Sequence, residues 1–366
     1  MKSDNNNNLV NIAFIGPVPP PFGGVGVMNK SFQQLVSNEW NVLSFNTSQK
    51  NLNEDLYASK GFKNILHFLN NLLGFFKFLG KNKFKIVNVF ATSNIAFIRD
   101  SVIIFILWIF RKQIIVHFHS KKKGEFFLSK FTIKYIALIF KLARKVVVLS
   151  QDHFDYFSQY IDTSKMVIIE NFVDYNLYDC KIEDKSKSFL YVSRLSKKKG
   201  IFDLIAAVKI VKDKGLNPVI NVLGTAENDE TRKMIDNWLS KYALEKNIIL
   251  HGNVYGKQKY DFFKSSRIFI FPSHFENSPV VLKEAIASNM AIICSDIEAN
   301  KRILSDKKNS KFFIPGDVKD LATKIEEALL NPTSVTLQMK NSSFCRLYDK
   351  RYAELEIKKL LITLSS

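Results

Sequence analysis

Apolar and polar positions along the chain repeat in one rhythm. Short runs rich in β-branched and aromatic residues end in loops, and stretches with helical spacing follow. Residues 10–15 predict a strand that runs into a Gly/Pro loop, with a helix over 26–36 after it. Residues 85–90, 113–118, 145–149 and 166–169 predict further strands. Residues 174–188 break the rhythm, being polar, charged and poor in apolar runs, and predict a linker. The pattern then restarts with strands at 189–193, 218–223, 248–251, 268–271 and 291–294. Helices are predicted over 202–214, closed by Gly215, and over 231–242. The expectation is an α/β protein of two Rossmann-like, doubly wound domains facing across a cleft.

Composition narrows the partners more than the fold. Apolar residues make up 46% of 366 and charged residues 24%, which are globular values. Cys180, Cys294 and Cys345 are far apart, so neither a disulfide framework nor a structural zinc site is expected. The formal charge of +19 points to an acidic partner. Much of it lies in residues 101–145, where Arg111, Lys112, Lys121 to Lys123, Lys130, Lys134, Lys141, Arg144 and Lys145 face Glu125 alone. Phe126, Phe127, Phe131, Tyr135, Ile139 and Phe140 are interleaved with them. Residues 65–79 add Leu and Phe. This mixture suits an anionic membrane surface, and an ordinary amphipathic packing helix is the plain alternative. No nucleic-acid reader motif is present. The longest apolar run, 102–110, is far short of the roughly 20 residues of a span. No secretory signal is recognisable at the start of the chain. The expected location is therefore cytoplasmic, peripheral on the inner face of the membrane.

Four segments carry candidate chemistry, each at the end of a predicted strand. The run Phe271-Pro272-Ser273-His274-Phe275-Glu276-Asn277-Ser278-Pro279-Val280-Val281-Leu282-Lys283-Glu284-Ala285 predicts an N-cap at Ser278 and a first helical residue at Pro279. Helix N-termini attract phosphate, and Glu276 and Glu284 could each accept sugar hydroxyls. The alternative is that Glu276 caps and Glu284 is a solvated helix residue. In Ser193-Arg194-Leu195-Ser196-Lys197-Lys198-Lys199-Gly200, Arg194 and Lys199 suit a diphosphate, unless this is simply a solvated basic loop. In the loop 16–26, Gly23 and Gly24 permit positive φ and close ligand approach. The loop is not GxGxxG, and a structural turn is the alternative. His117 and His119 alternate onto one side of a strand, and His119 at its end is the candidate for touching a substrate hydroxyl.

Together these segments resemble glycosyltransferase family 4, retaining enzymes of the two-Rossmann GT-B fold. The resemblance rests on the E-x7-E spacing of Glu276 and Glu284, on "YVSRLSKKKG", and on "IENFVD" at 169–174. It implies that Arg194 and Lys199 neutralise a donor diphosphate and that Glu284 holds the nucleotide ribose. It also implies that Glu276 lies at the transferred sugar, with Asn277, Ser278, Pro279, Val280 and Val281 around sugar and phosphate. His119 is implied at the sugar or acceptor, and the Gly23-Gly24 loop on the acceptor side. The donor is implied to be a nucleoside-diphosphate sugar, and the acceptor a saccharide or polyprenyl-linked saccharide of bacterial surface polysaccharide synthesis. No cofactor and no metal are expected, since no Asp-x-Asp stands at a strand end. The sequence departs from the family's pattern at Ser288-Asn289-Met290-Ala291, which stands where Gly-x-Pro is usual, at 296–300, and at Phe172.

The implied domains are 1–173 for the acceptor, 174–188 as linker, 189–341 for the nucleotide sugar, and a helical tail over 342–366 returning to the first domain. A degenerate GT-B binding protein and a two-Rossmann epimerase are the competing readings. A phosphorylase would need a cofactor lysine and a longer chain.

Overall fold

The computed structural model describes residues 9–19, 23–48, 62–92, 95–119, 130–180, 186–304, 310–331 and 345–365. The chain divides into two compact units, Met1–Asn171 with Arg351–Ser366, and Phe172–Lys350. Each holds a six-stranded parallel sheet and is a Rossmann-like α/β domain.

The first sheet contains Asn11–Gly16 (β1), Asn41–Asn46 (β2), Ile86–Ala91 (β3), Gln113–Phe118 (β4), Lys145–Val148 (β5) and Met166–Ile168 (β6), in the order β2-β1-β3-β4-β5-β6. The second contains Ser186–Val192 (β7), Ile220–Leu223 (β8), Ile248–Leu250 (β9), Ser266–Phe271 (β10), Ala291–Ser295 (β11) and Ser310–Phe313 (β12), in the order β12-β11-β10-β7-β8-β9. Central strands such as β3 and β11 are buried along their whole length. Their largely apolar sequences, interrupted in β3 only by Asn88 and ending in β11 at Ser295, follow from helices covering both faces. The edge strands β2 and β12 escape the sequence reading. Asn41, Ser44 and Asn46 in β2, and Ser310 and Lys311 in β12, interrupt any such run.

Helices Phe62–Lys81, Ile95–Ile109 and Lys130–Lys141 follow β2, β3 and β4 and lie on one face of the first sheet. Phe75, Phe97, Ile104, Leu107, Ile136 and Phe140 share one core there. This corrects the membrane-facing reading of the third helix, because Tyr135, Ile139 and Phe140 all pack inward. Their spacing served the protein core first. Phe126, Phe127, Glu125 and Lys121 to Lys123 lie outside the described residues.

The linker expectation is also corrected over its described part. Tyr175 and Tyr178 are buried with Val173 in the core of the second unit, alongside Leu282 and Ile286. Two aromatic anchors outweigh a polar composition. Residues 181–185 lie outside the described residues, and 186–188 open β7. Tyr348 is buried in the same core. The helix Lys350–Ser365 starts just beyond it, and Lys358 pairs with Glu39 of the first unit at 2.5 Å.

Candidate functional site

In the second sheet the chain steps from β7 outward through β8 to β9, then returns to β10 and runs the other way. Parallel sheets bind ligands at such a reversal, beyond the carboxyl ends of the two strands. The reversal lies between β7 and β10, and the loops leaving those strands are 193–200 and 272–279. Both segments singled out by residue type therefore arrive at one place.

The two loops are joined to each other. The His274 amide donates to the Lys198 carbonyl at 3.0 Å. The Tyr191 hydroxyl, from the core of β7, donates to the Lys199 carbonyl at 3.0 Å. Gly200 has φ +73°, and a Cβ there would sit 2.0 Å from the Pro272 carbonyl oxygen. Only glycine fits that contact. Lys199 meets Glu276, with Nζ 2.5 Å from Oε1. The Ser273 hydroxyl donates to the same oxygen at 2.8 Å. Arg194 is exposed and has no carboxylate in pairing range among the described residues.

Beyond Glu276 the helix Val280–Ala287 begins one residue later than the sequence predicts. Pro279 is the N-cap, with ψ 112°, and no side chain caps the first turn. The expected Ser278 cap is corrected because its hydroxyl accepts from Lys283 Nζ at 2.8 Å. Lys283 is fully buried, 4.2 Å over the Tyr348 ring. Arg302 donates to the Asn277 carbonyl at 2.8 Å. The residues before the helix start are thus held by two cations, Lys283 on the Ser278 hydroxyl and Arg302 on the Asn277 carbonyl. The helix ends in a left-handed Asn289, φ +50°, whose amide bonds to Ile286 O at 3.0 Å while that of Met290 bonds to Ala285 O at 3.0 Å. Asparagine replaces the usual glycine in this closing turn, which accounts for one departure from the family's pattern.

Glu284 is buried, not a solvated helix residue. Its Oε1 accepts from the Tyr178 hydroxyl at 2.6 Å and from Lys259 Nζ at 2.7 Å. Its Oε2 is buried and has no hydrogen-bond partner. Burial, then the Glu284 charge, pushes the Tyr178 hydroxyl far above its ordinary range, so it stays a donor. A carboxylate with one oxygen fixed and the other unmet is prepared to accept from a ligand. Tyr178 and Lys259 were missed by sequence reasoning. Lys259 comes from the helix Gly256–Ser265, with no local signal tying it to Glu284.

In the first unit the sequence-predicted residues fare differently. Gly23 has φ −132° and is the N-cap of the helix Gly24–Val36, and neither Gly23 nor Gly24 takes positive φ. That expectation is corrected, since Gly16 bears the positive φ, +153°, where β1 meets Phe90. A Cβ at Gly23 or Gly24 would meet nothing within 4 Å, so the backbone borders open space. Residues 20–22 lie outside the described residues. His117 is a core residue, hydrogen-bonded to Asn88 at 3.0 Å and stacked on Phe90 at 4.3 Å. His119, just past β4, is half-buried, and its Nε2 is buried without a hydrogen-bond partner. Burial, with His153 nearby, holds its pKa down at about 3, so the ring is neutral near pH 7. Among the described residues, no group of three or more His, Cys, Asp or Glu is placed to hold a metal.

The chain is similar in part to known proteins. Residues 179–343 match the model of glycosyl transferases group 1. The capsular polysaccharide biosynthesis glycosyltransferase CapM of Staphylococcus aureus is 30% identical over 174 residues, 45% of this chain and 44% of CapM. The chain spans about half the length of the curated relatives it matches. Sucrose-phosphate synthase from Thermosynechococcus elongatus superposes with a TM-score of 0.76 over 97% of this chain and 99% of its own, at 15% identity. Anabaena HepE in complex with UDP-glucose gives 0.73 over 96% and 99%, at 16% identity. The fold shared with these two structures thus extends along nearly the whole chain, and residues 179–343 carry the sequence pattern of glycosyl transferases group 1.

Proposed function

We propose that this protein is a retaining glycosyltransferase that moves a hexose or related sugar from a nucleoside-diphosphate sugar to a saccharide or lipid-linked saccharide in surface polysaccharide synthesis. One observation carries the reading: Lys199 pairs with Glu276 across the two loops at the strand reversal, one of which also carries Arg194, and the helix that follows the other holds a buried Glu284 with an unmet oxygen. The capsular relatives and the UDP-glucose complex of HepE support the donor class and the pathway class.

In this reading Arg194 and Lys199 take the charge that develops on the leaving diphosphate, the largest catalytic contribution. Glu284 accepts from the nucleotide ribose, and Glu276 lies at the transferred sugar. The first turn at Val280 and Val281 offers backbone amides to the phosphates. The acceptor hydroxyl attacks C1 from the face the diphosphate leaves. Its proton passes to the departing phosphate oxygen, so configuration is retained and no metal is used. The first unit, with neutral His119 and the open backbone at Gly23 and Gly24, takes the acceptor side.

The test is Arg194→Ala and Lys199→Ala, assayed for donor hydrolysis and transfer across a panel of sugar nucleotides. Each should lose about 10²- to 10³-fold in kcat with unchanged circular dichroism. Full turnover in either would remove the diphosphate assignment. A degenerate binding protein would instead show donor-induced stabilisation without hydrolysis or transfer.

A further inference from the structure

The first sheet has a strand reversal of its own. The chain steps from β1 outward to β2, then returns past β1 to β3. The crevice beyond the carboxyl ends of β1 and β3 is therefore the counterpart of the one at β7 and β10. The loop leaving β1 leads to Gly23 and Gly24, and β3 runs out into Thr92. The catalytic reading uses none of the charged residues at this crest.

Two consecutive residues of the helix Ile95–Ile109 stand there, Arg99 and Asp100. Asp100 is buried, and one of its oxygens accepts from the Thr92 amide at 2.8 Å and from the Thr92 hydroxyl at 2.7 Å. Its other oxygen accepts from Arg99 Nε at 3.0 Å and from Arg99 Nη2 at 2.8 Å. The remaining guanidinium nitrogen, Nη1, donates to the Thr47 carbonyl at 3.0 Å. Thr47 follows β2, and its own amide donates to Gly16 O, at the end of β1, at 3.0 Å. Because β1 lies between β2 and β3, a guanidinium tied to both flanks lies across the carboxyl end of β1.

These three contacts leave two of the guanidinium's five N–H donors. The Arg99 side chain is 19% exposed against 2% for Asp100, so the pair is closed on its acidic side and open on its basic side. The Thr47 hydroxyl is buried and has no hydrogen-bond partner. Such a group costs free energy until something meets it. Acid is scarce nearby. Among the described residues of 9–119 the carboxylates are Asp100 and Glu39, and Glu39 lies at the opposite end of β2, paired with Lys358.

We propose that Arg99 recognises an oxyanion carried by the acceptor, a phosphate or carboxylate beside the sugar that is extended. Asp100 fixes the guanidinium, and its two spare N–H groups meet two oxygens of the anion, with the Thr47 hydroxyl as a further donor. A neutral sugar hydroxyl offers a single oxygen where a phosphate or carboxylate offers the matched pair. Assigning the oxyanion to the acceptor rests on the transferase reading, in which the first unit takes the acceptor.

The experiment is isothermal titration of the full chain carrying Arg194→Ala and Lys199→Ala, which removes the cations assigned to the donor diphosphate. The probes are geranyl diphosphate, for a lipid-linked acceptor, and methyl glucuronide, for an acidic saccharide, with geraniol and methyl glucoside as their neutral counterparts. At least one anionic probe should bind about 10-fold or more tightly than its counterpart, and which one does so identifies the source of the oxyanion. Adding Arg99→Gln should weaken that binding about 10- to 100-fold. Should that variant fail to fold, because Asp100 is left buried without its partner, Arg99→Lys decides. It keeps the charge and loses the fork, so it should melt with the parent and bind about 5- to 10-fold more weakly. A merely structural arginine would move the melting temperature and leave the preference for the anionic probe intact. Equal binding of both anionic probes and their counterparts, or parental affinity in the Arg99 variants, would overturn the proposal. No donor enters the titration, so its failure is distinct from an absence of donor hydrolysis, which would remove the transferase reading instead.

Discussion

Two units of one architecture differ most in what they present to solvent. Helices of the second unit carry opposite charges one turn apart: Lys209 with Asp213, Arg232 with Asp236 at 2.8 Å, Lys257 with Asp261 at 2.9 Å, and Lys324 with Asp320 at 3.5 Å. Each such exposed pair is worth only about 0.3–0.5 kcal/mol, but together they make a self-neutralised, water-facing surface. The three helices over the first sheet have cations and exposed apolar groups instead. Inside, the contrast reverses. The second unit's strand-end loops are cross-linked by buried and ionic contacts, whereas Gly23 and Gly24 in the first border open space. The same fold carries cross-linked polar loops at the strand ends of one unit and a helix exterior rich in cations and exposed apolar groups on the other, because strand ends and helix exteriors are set by different residues.

This contrast can be broken from either side. The largest effect should come from Gly200→Ala, whose Cβ would meet Pro272 O at 2.0 Å in a left-handed backbone. A loss of about 3 kcal/mol or more is expected, read as a lower melting temperature of the second unit in calorimetry. Next is Glu284→Gln. It removes the charge that Lys259 and Tyr178 hold, and donor affinity should fall about 10- to 100-fold by isothermal titration.

Acid should destabilise the first unit through its two buried histidines. His117 and His119 are held neutral by burial, so their folded pKa values lie below the unfolded one. Stability is then complete above about pH 6.5 and declines as pH falls below it, on the order of 1 kcal/mol for each histidine by pH 5.5. Urea unfolding of the parent and of His119→Phe across this range should show the variant less sensitive to acid. The smallest effect is Asn289→Gly, which should stabilise the second unit by about 0.5 kcal/mol, seen as a slight rise in melting temperature.

The alternating β and α pattern was legible because parallel strands buried on both faces are predominantly apolar, the buried Asn88–His117 pair being an exception. The loops carrying 194, 199 and 276 were legible as strand-end segments rich in charge, whereas the choice of Glu284, inside the following helix, rested on the family resemblance. What stayed hidden is non-local or depends on geometry. Lys259 and Tyr178 reach Glu284 from distant segments, and Tyr178 sits in a stretch whose polar residues mask its two aromatic anchors. The helix start at Val280 turned on whether the Ser278 hydroxyl served the backbone or Lys283, a choice that only the buried ammonium decides. The inward-facing Tyr135, Ile139 and Phe140 show that a basic, aromatic-rich stretch cannot be divided into core and surface until its helix is oriented.

The ammonium of Lys199 already has its own counterion in Glu276. Simple anions such as chloride gain little by displacing a carboxylate held that closely. A visitor that brings negative oxygens for the lysine and hydroxyl hydrogens for the released carboxylate satisfies both halves at once. In the proposed reading the pair acts as a filter, passing over bare phosphate in favour of a molecule that joins phosphate to a polyol.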